Sequence, residues 1–140
     1  VGNLKPLFEP ILWFQKPYKI GGTIASNMLK YGIGAWNEEA LKNYNNRKSN
    51  EIISNIISVK ACKDDKKYHP AQKPIKLIEL LITLVTNEGD FILDPFMGSG
   101  TVGVACVNTN RSFVGIEIED KYFNIAKKRI DETNANVKII

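Results

Sequence analysis

The chain has 140 residues, one domain's worth, with 44% hydrophobic and 24% charged residues, enough apolar material for a real core. A net charge of +4 and a pI near 9.0 fit an acidic partner without demanding one. No apolar run nears the roughly 18–20 residues of a membrane span, and the two cysteines, Cys62 and Cys106, are too few for a disulfide framework and form no Cys-x-x-Cys pair.

In chain order, residues 7–14, LFEPILWF, read as a short apolar strand closed by Lys16-Pro17, with Pro10 weakening its first half. The start at Val1, with no signal-peptide pattern, reads as a chain that begins partway through a longer product. Gly21-Gly22, Gly32 and Gly34 bound a short helix around residues 24–30. NEEALKNYNNRKSN follows, polar and rich in asparagine, and then residues 52–59, IISNIISV, fit a strand or a helical turn. KACKDDKK reads as a solvated linker with Cys62 as a reduced surface thiol, which points to a cytoplasmic setting.

Beyond Pro74, Leu77, Ile78, Leu81, Leu84 and Val85 recur at the spacing of an amphipathic helix, with Gly89 as its C-cap. Residues 90–94, DFILD, read as a buried strand, and residues 101–107 as a small-residue helix that buries Cys106. Residues 112–117, SFVGIE, read as a second strand. Asp120 then caps a helix in which Phe123, Ala126 and Ile130 share a face, and VKII ends the chain as a third strand. Alternation of helix and strand predicts an α/β fold, with a mostly parallel sheet and helices on both faces.

Between strand and helix lies DPFMGSGT. Glycines at 98 and 100 admit close approach of a ligand, and the helix N-terminus favours an anionic group. No lysine follows Gly100, so the turn is not a nucleoside triphosphate loop. Gly98, Gly100 and Gly103 do match the dinucleotide spacing Gly-x-Gly-x-x-Gly, and a nicotinamide or flavin enzyme stays open on that motif. Glu117 ends the second strand about 20 residues on, where an acidic side chain accepts from ribose hydroxyls. S-adenosylmethionine meets the same demands, its ribose at Glu117 and its carboxylate at the turn. The plain alternative is that Glu117 is an exposed strand end.

HPAQKP, ILDPFMGSGT and FVGIEIEDKYFNIAKKRI, in that order, resemble the DNA methyltransferases that modify the exocyclic amine of adenine or cytosine. The resemblance covers residues 69–130 closely and is of the beta group, in which the cofactor half follows the catalytic half. Upstream, LKPLFEPILWFQKPY and NMLKYGIGAWN resemble phage-type and restriction-associated members more loosely. The resemblance implies a partial Rossmann-like methyltransferase sheet that binds S-adenosylmethionine. It implies that Asp94, Phe96, Gly98, Ser99, Gly100 and Thr101 line the methionine and adenosine portions, and that Glu117 holds the ribose. His69, Pro70, Gln72 and Lys73 would wall the pocket, with Lys73 on the carboxylate. For His69 a packed or capping imidazole is the equal alternative.

The family's catalytic motif, Asp/Asn/Ser-Pro-Pro-aromatic, is missing from this sequence. The expectation is a cofactor half whose partners are double-stranded DNA and a complementary N-terminal catalytic chain or a second copy, with no metal and no membrane. Residues 1–19 would belong to the strand region of the catalytic half, residues 20–68 to target recognition, and residues 69–140 to cofactor binding. Lys30, Lys42, Arg47, Lys48, Lys60, Lys63, Lys66 and Lys67 are candidate phosphate contacts, or merely a solvated loop beside Asp64 and Asp65. Trp36 and Tyr44 are expected in the core, and Glu9 in a structural role. Two rivals remain: a non-catalytic remnant of such an enzyme, and a nucleotide-dependent oxidoreductase.

Overall fold

The computed structural model describes residues 9–17, 19–32, 36–37, 39–40, 56–60, 68–69 and 71–136. The chain divides into two units, Val1–Ala35 and Trp36–Ile140. In the first, residues 9–17 are exposed and form no strand, contrary to expectation. A strand needs a ladder partner for its backbone groups, and Pro10 removes one donor.

Helix α1, Ile24–Tyr31, begins in a reciprocal capping box. Thr23 Oγ1 accepts from the Ser26 amide at 3.0 Å, and Ser26 Oγ accepts from the Thr23 amide at 2.9 Å. Gly32 closes the helix in the left-handed region, its N–H donating to the Met28 carbonyl at 2.8 Å. None of its residues is buried.

The second unit holds α2 (Ile75–Val85), β1 (Phe91–Asp94), α3 (Thr101–Asn108), β2 (Ser112–Gly115) and α4 (Asp120–Asn136). Helix α2 is apolar nearly all round, so it buries two faces rather than the single predicted stripe. Leu80 and Leu84 pack with Ile57 and Val85, while Ile82 joins Ala105 and Cys106 beneath Ile92 and Phe113. It ends at Thr86, not at Gly89, because Thr86 turns extended. Gly89, at φ +84°, serves the turn into β1 instead. Trp36 is half exposed rather than in the core, and the VKII strand and Tyr44 lie outside the described residues.

β1 and β2 pair in parallel with α3 between them, Leu93 opposite Val114 and Asp94 opposite Gly115. The α/β reading therefore holds. Side chains alternate across a strand, and Ile92 and Phe113 face the helices. On the opposite face Phe91 is 75% and Leu93 64% exposed, beside exposed Val114. The expected cover on both faces is thus met on one face among the described residues.

Cys106 is fully buried, as its apolar setting predicted. Burial pushes its thiol up to about 11 against the opposing pull of the Arg111 charge, with Asp94 adding to the rise. On α4 the expected face holds at Ala126, which is buried, and at Ile130, which packs against Gly103, but Phe123 is exposed and Arg129 is buried beside them.

Candidate functional site

The carboxyl ends of β1 and β2 meet in the glycine turn. Asp94 Oδ1 accepts the Phe96 amide at 3.0 Å, bending the chain out of the strand. The Met97 amide donates to the Ile116 carbonyl at 3.0 Å, and the Gly100 amide donates back to Met97 at 2.8 Å. The Ile116 amide reaches the Asp94 carbonyl at 2.9 Å, continuing the ladder past β2. The turn is thereby sewn to the segment that carries Glu117.

Glu117 has a defined geometry. One carboxylate oxygen accepts the Gly98 amide at 2.8 Å and the other the Glu119 amide at 2.9 Å. The Glu119 amide, foremost, holds the carboxyl below its ordinary value; the Gly98 and Ile118 amides and the His69 charge act in the same direction, and partial desolvation opposes them. A carboxylate offers about four lone-pair sites. Two are used here, so the group keeps acceptor capacity for hydroxyls. The amides of residues 96, 97, 98 and 100 are all engaged within the chain. An anion at this turn therefore relies on other donors and on the positive pole of α3.

The glycines divide the work. Gly100 sits at φ +78°, and a Cβ there would lie 2.7 Å from Ala126 Cβ of α4. The space its missing side chain leaves is taken up by α4. Gly98, at φ +51°, would place a Cβ in open space with nothing within 4 Å. Close approach of a ligand is possible at Gly98 alone of these two.

Thr101 opens α3 with its hydroxyl buried and, among the described residues, without a hydrogen-bond partner. Buried hydroxyls are normally paired, so this orphan stands out among the residues that open α3. Ser99 is 4% and Gln72 9% exposed, and the Ser99 hydroxyl donates to Gln72 Oε1 at 3.3 Å. His69 Nδ1 accepts the Ala71 amide at 3.0 Å, and its ring meets Tyr122 in a T-shaped contact at 4.5 Å. That is a capping and packing arrangement at the rim of the turn. Phe96 and Lys73 are exposed, and Pro70 lies outside the described residues. So the structure brings Gln72 to Ser99, and Glu117 to Gly98, across long stretches of sequence. Lys30 lies over the Tyr31 ring at 5.0 Å and Lys60 is exposed; the other candidate phosphate contacts fall outside the described residues.

Arg129 escaped the sequence reading. It is 8% exposed and its Nη1 donates to the Ser99 carbonyl and, at 3.2 Å, to the Ser99 hydroxyl. The available sign was its place three residues past Ala126, on the face that a helix turns inward. Among the described residues no cluster of three or more His, Cys, Asp or Glu could hold a metal, and no helix is long and apolar enough to cross a membrane.

The model of a family described as DNA methylase, covering amino-methyltransferases of the N6 and N4 type, matches residues 2–128. The chain is 52% identical over 130 residues to the type II methyltransferase M.HindIII of Haemophilus influenzae, covering 93% of this chain and 42% of that protein. It is 33% identical over 132 residues to the DNA adenine methyltransferase YhdJ of Escherichia coli, covering 89% of this chain and 45% of that one. Among solved structures, the M1.HpyAVI–SAM complex superposes with a TM-score of 0.51 at 44% identity, over 61% of this chain and 42% of that chain. The chain thus spans less than half the length of these relatives.

Proposed function

We propose, for a chain that belongs to the N6/N4 DNA methylase family, that it supplies the S-adenosylmethionine half of an enzyme that methylates an exocyclic amine of double-stranded DNA, adenine N6 in first place. The observation that carries this reading is the convergence of a clamped Glu117, an open Gly98 and the orphaned Thr101 hydroxyl at the carboxyl end of two parallel strands. Ligands of open α/β sheets bind at that end. Two relatives, named as a type II and an adenine methyltransferase, and the likeness to a SAM complex support it.

In this reading Glu117 accepts the ribose hydroxyls, held in place by the Gly98 and Glu119 amides. The Thr101 hydroxyl and the N-terminus of α3 meet polar atoms of the methionyl portion, with Lys73 on its carboxylate. Asp94, Phe96 and Ser99 complete the lining, Gly100 backs it by letting the turn lie against α4, and His69 and Gln72 form the opposite wall. The cofactor, when bound, supplies a methyl group activated by a sulfonium. Orientation and exclusion of water are what the protein adds.

The sequence holds no Pro-Pro-aromatic motif to receive a base taken out of its stack. The isolated chain is therefore read as a cofactor half that transfers nothing by itself, with residues 1–19 adjoining the catalytic half and residues 20–68 contributing target recognition in a longer assembly. The exposed face of Phe91, Leu93 and Val114 supports this, since an uncovered apolar sheet face calls for cover. A complementary catalytic chain is the cover we favour over a second copy.

The test is Thr101→Val in the full chain. Losing an unpaired buried hydroxyl is expected to raise stability by about 1 kcal/mol, while S-adenosylmethionine affinity by calorimetry falls about tenfold. Opposite signs in one variant are hard to obtain from a merely structural threonine. Unchanged affinity would remove Thr101 from the site, and absence of binding to the wild-type chain would sink the reading. Transfer of labelled methyl groups to DNA by this chain alone would contradict the division of labour.

A further inference from the structure

We infer that Arg129 of α4 is the positioning residue of the glycine turn, setting the orientation of the Ser99 peptide on which the cofactor reading rests. The guanidinium is buried and donates to both the carbonyl and the hydroxyl of Ser99. Its Cζ lies over the Tyr68 ring at 4.7 Å. The same Ser99 hydroxyl passes a hydrogen bond to Gln72. One side chain thus connects three parts of the sequence that no covalent neighbour relation brings together: Tyr68 and Gln72, the turn, and α4.

Ser99 stands between two glycines with positive φ, Gly98 at +51° and Gly100 at +78°. Such a peptide has few intrinsic restraints on its rotation. If the Ser99 carbonyl swung, the Gly100 amide of the same peptide would leave the Met97 carbonyl, and the loosened turn would release the Gly98–Glu117 bond and shift the start of α3 with Thr101. A planar, multidentate donor is suited to fixing a carbonyl and a hydroxyl of one residue together. An aliphatic side chain would fill the same slot at less desolvation cost. The use of a buried arginine there points to the hydrogen bonds rather than to packing. Gly100 supports this arrangement, since its missing Cβ lets the turn lie against Ala126, one helical turn before Arg129.

The experiment is amide hydrogen exchange on the full chain, compared among wild type, Arg129→Met and Arg129→Lys. In Arg129→Met the Gly98 and Gly100 amides are expected to exchange at least about tenfold faster, with the Ala105 and Cys106 amides within about twofold of wild type. Arg129→Lys keeps a cationic donor for the Ser99 carbonyl, and turn protection is expected to return to within about threefold. Unchanged turn amides in Arg129→Met would overturn the inference. So would equal loosening of turn and core in both variants, which would make Arg129 a packing residue. This readout needs no cofactor. Titration of the same wild-type sample with S-adenosylmethionine decides the functional reading separately, so either can fail alone.

Discussion

At Gly98 and Gly100 two glycines of one motif do different things, and substitution separates them. Gly100→Ala meets both an unfavourable φ and the Ala126 methyl, and is expected to cost about 2–4 kcal/mol in urea unfolding. Gly98→Ala meets only the φ and is expected to cost about 1 kcal/mol, yet to weaken S-adenosylmethionine binding by calorimetry. A ligand that tolerates Gly98→Ala lies elsewhere. Glu117 has a pH signature with a definite sign. Its folded pKa is depressed, the Glu119 amide acting first. The stability it contributes is complete above the unfolded value of about 4.3 and is lost as pH falls through the lower folded value. The stability difference between wild type and Glu117→Gln should therefore shrink as the medium is acidified below about pH 4.3, and a difference independent of pH would contradict the clamp. The pairing of an acidic strand end with the glycine turn was legible from spacing alone. That Glu117 grips the Gly98 amide was not, because a hydrogen bond across 19 residues depends on register.

Among the elements, the β1–α3–β2 unit was read correctly in order and type because each of its signals is local: a short apolar run, a glycine turn, a small-residue helix, another apolar run. The expected burial of β1 was not met, since its Phe91 and Leu93 are exposed. The misread elements depend on partners. Residues 9–14 have the composition of a strand but form no ladder among the described residues. On α4, Phe123 was grouped with Ala126 and Ile130 on one apolar face, yet it is exposed while Arg129 turns inward with Ala126, because Gly100 admits Ala126 and Ser99 receives Arg129. The face of Phe91, Leu93 and Val114 has a consequence that sedimentation can read. An exposed apolar patch promotes association. The isolated chain should sediment with increasing mass as concentration rises, and Leu93→Lys should move it toward a monomer. Identical behaviour of the two would show that this face is not adhesive.

For the whole molecule, binding of a ligand to the folded state alone raises stability with the logarithm of ligand concentration over its dissociation constant. S-adenosylmethionine at about 100 times its dissociation constant should add about 2.7 kcal/mol to unfolding, and NAD at the same concentration nothing. A rise with NAD in place of S-adenosylmethionine would restore the oxidoreductase reading that the spacing of Gly98, Gly100 and Gly103 permits. The chain spans 42% of M.HindIII and 45% of YhdJ. A cofactor response without methyl transfer is the expected behaviour of a piece of that extent.

The sequence by itself determined the α/β alternation, the family, the glycine turn and its acidic partner. Each rests on residues close together in the chain or on a spacing the backbone preserves. Only the tertiary structure decided which glycine faces open space and which faces a helix, that the Thr101 hydroxyl has no partner among the described residues, and that Arg129 reaches back 30 residues to hold Ser99. Those outcomes depend on how α4 is rotated against the turn. That rotation is fixed by packing among Gly100, Ala126, Gly103 and Ile130, a contact set that no local pattern of residues encodes.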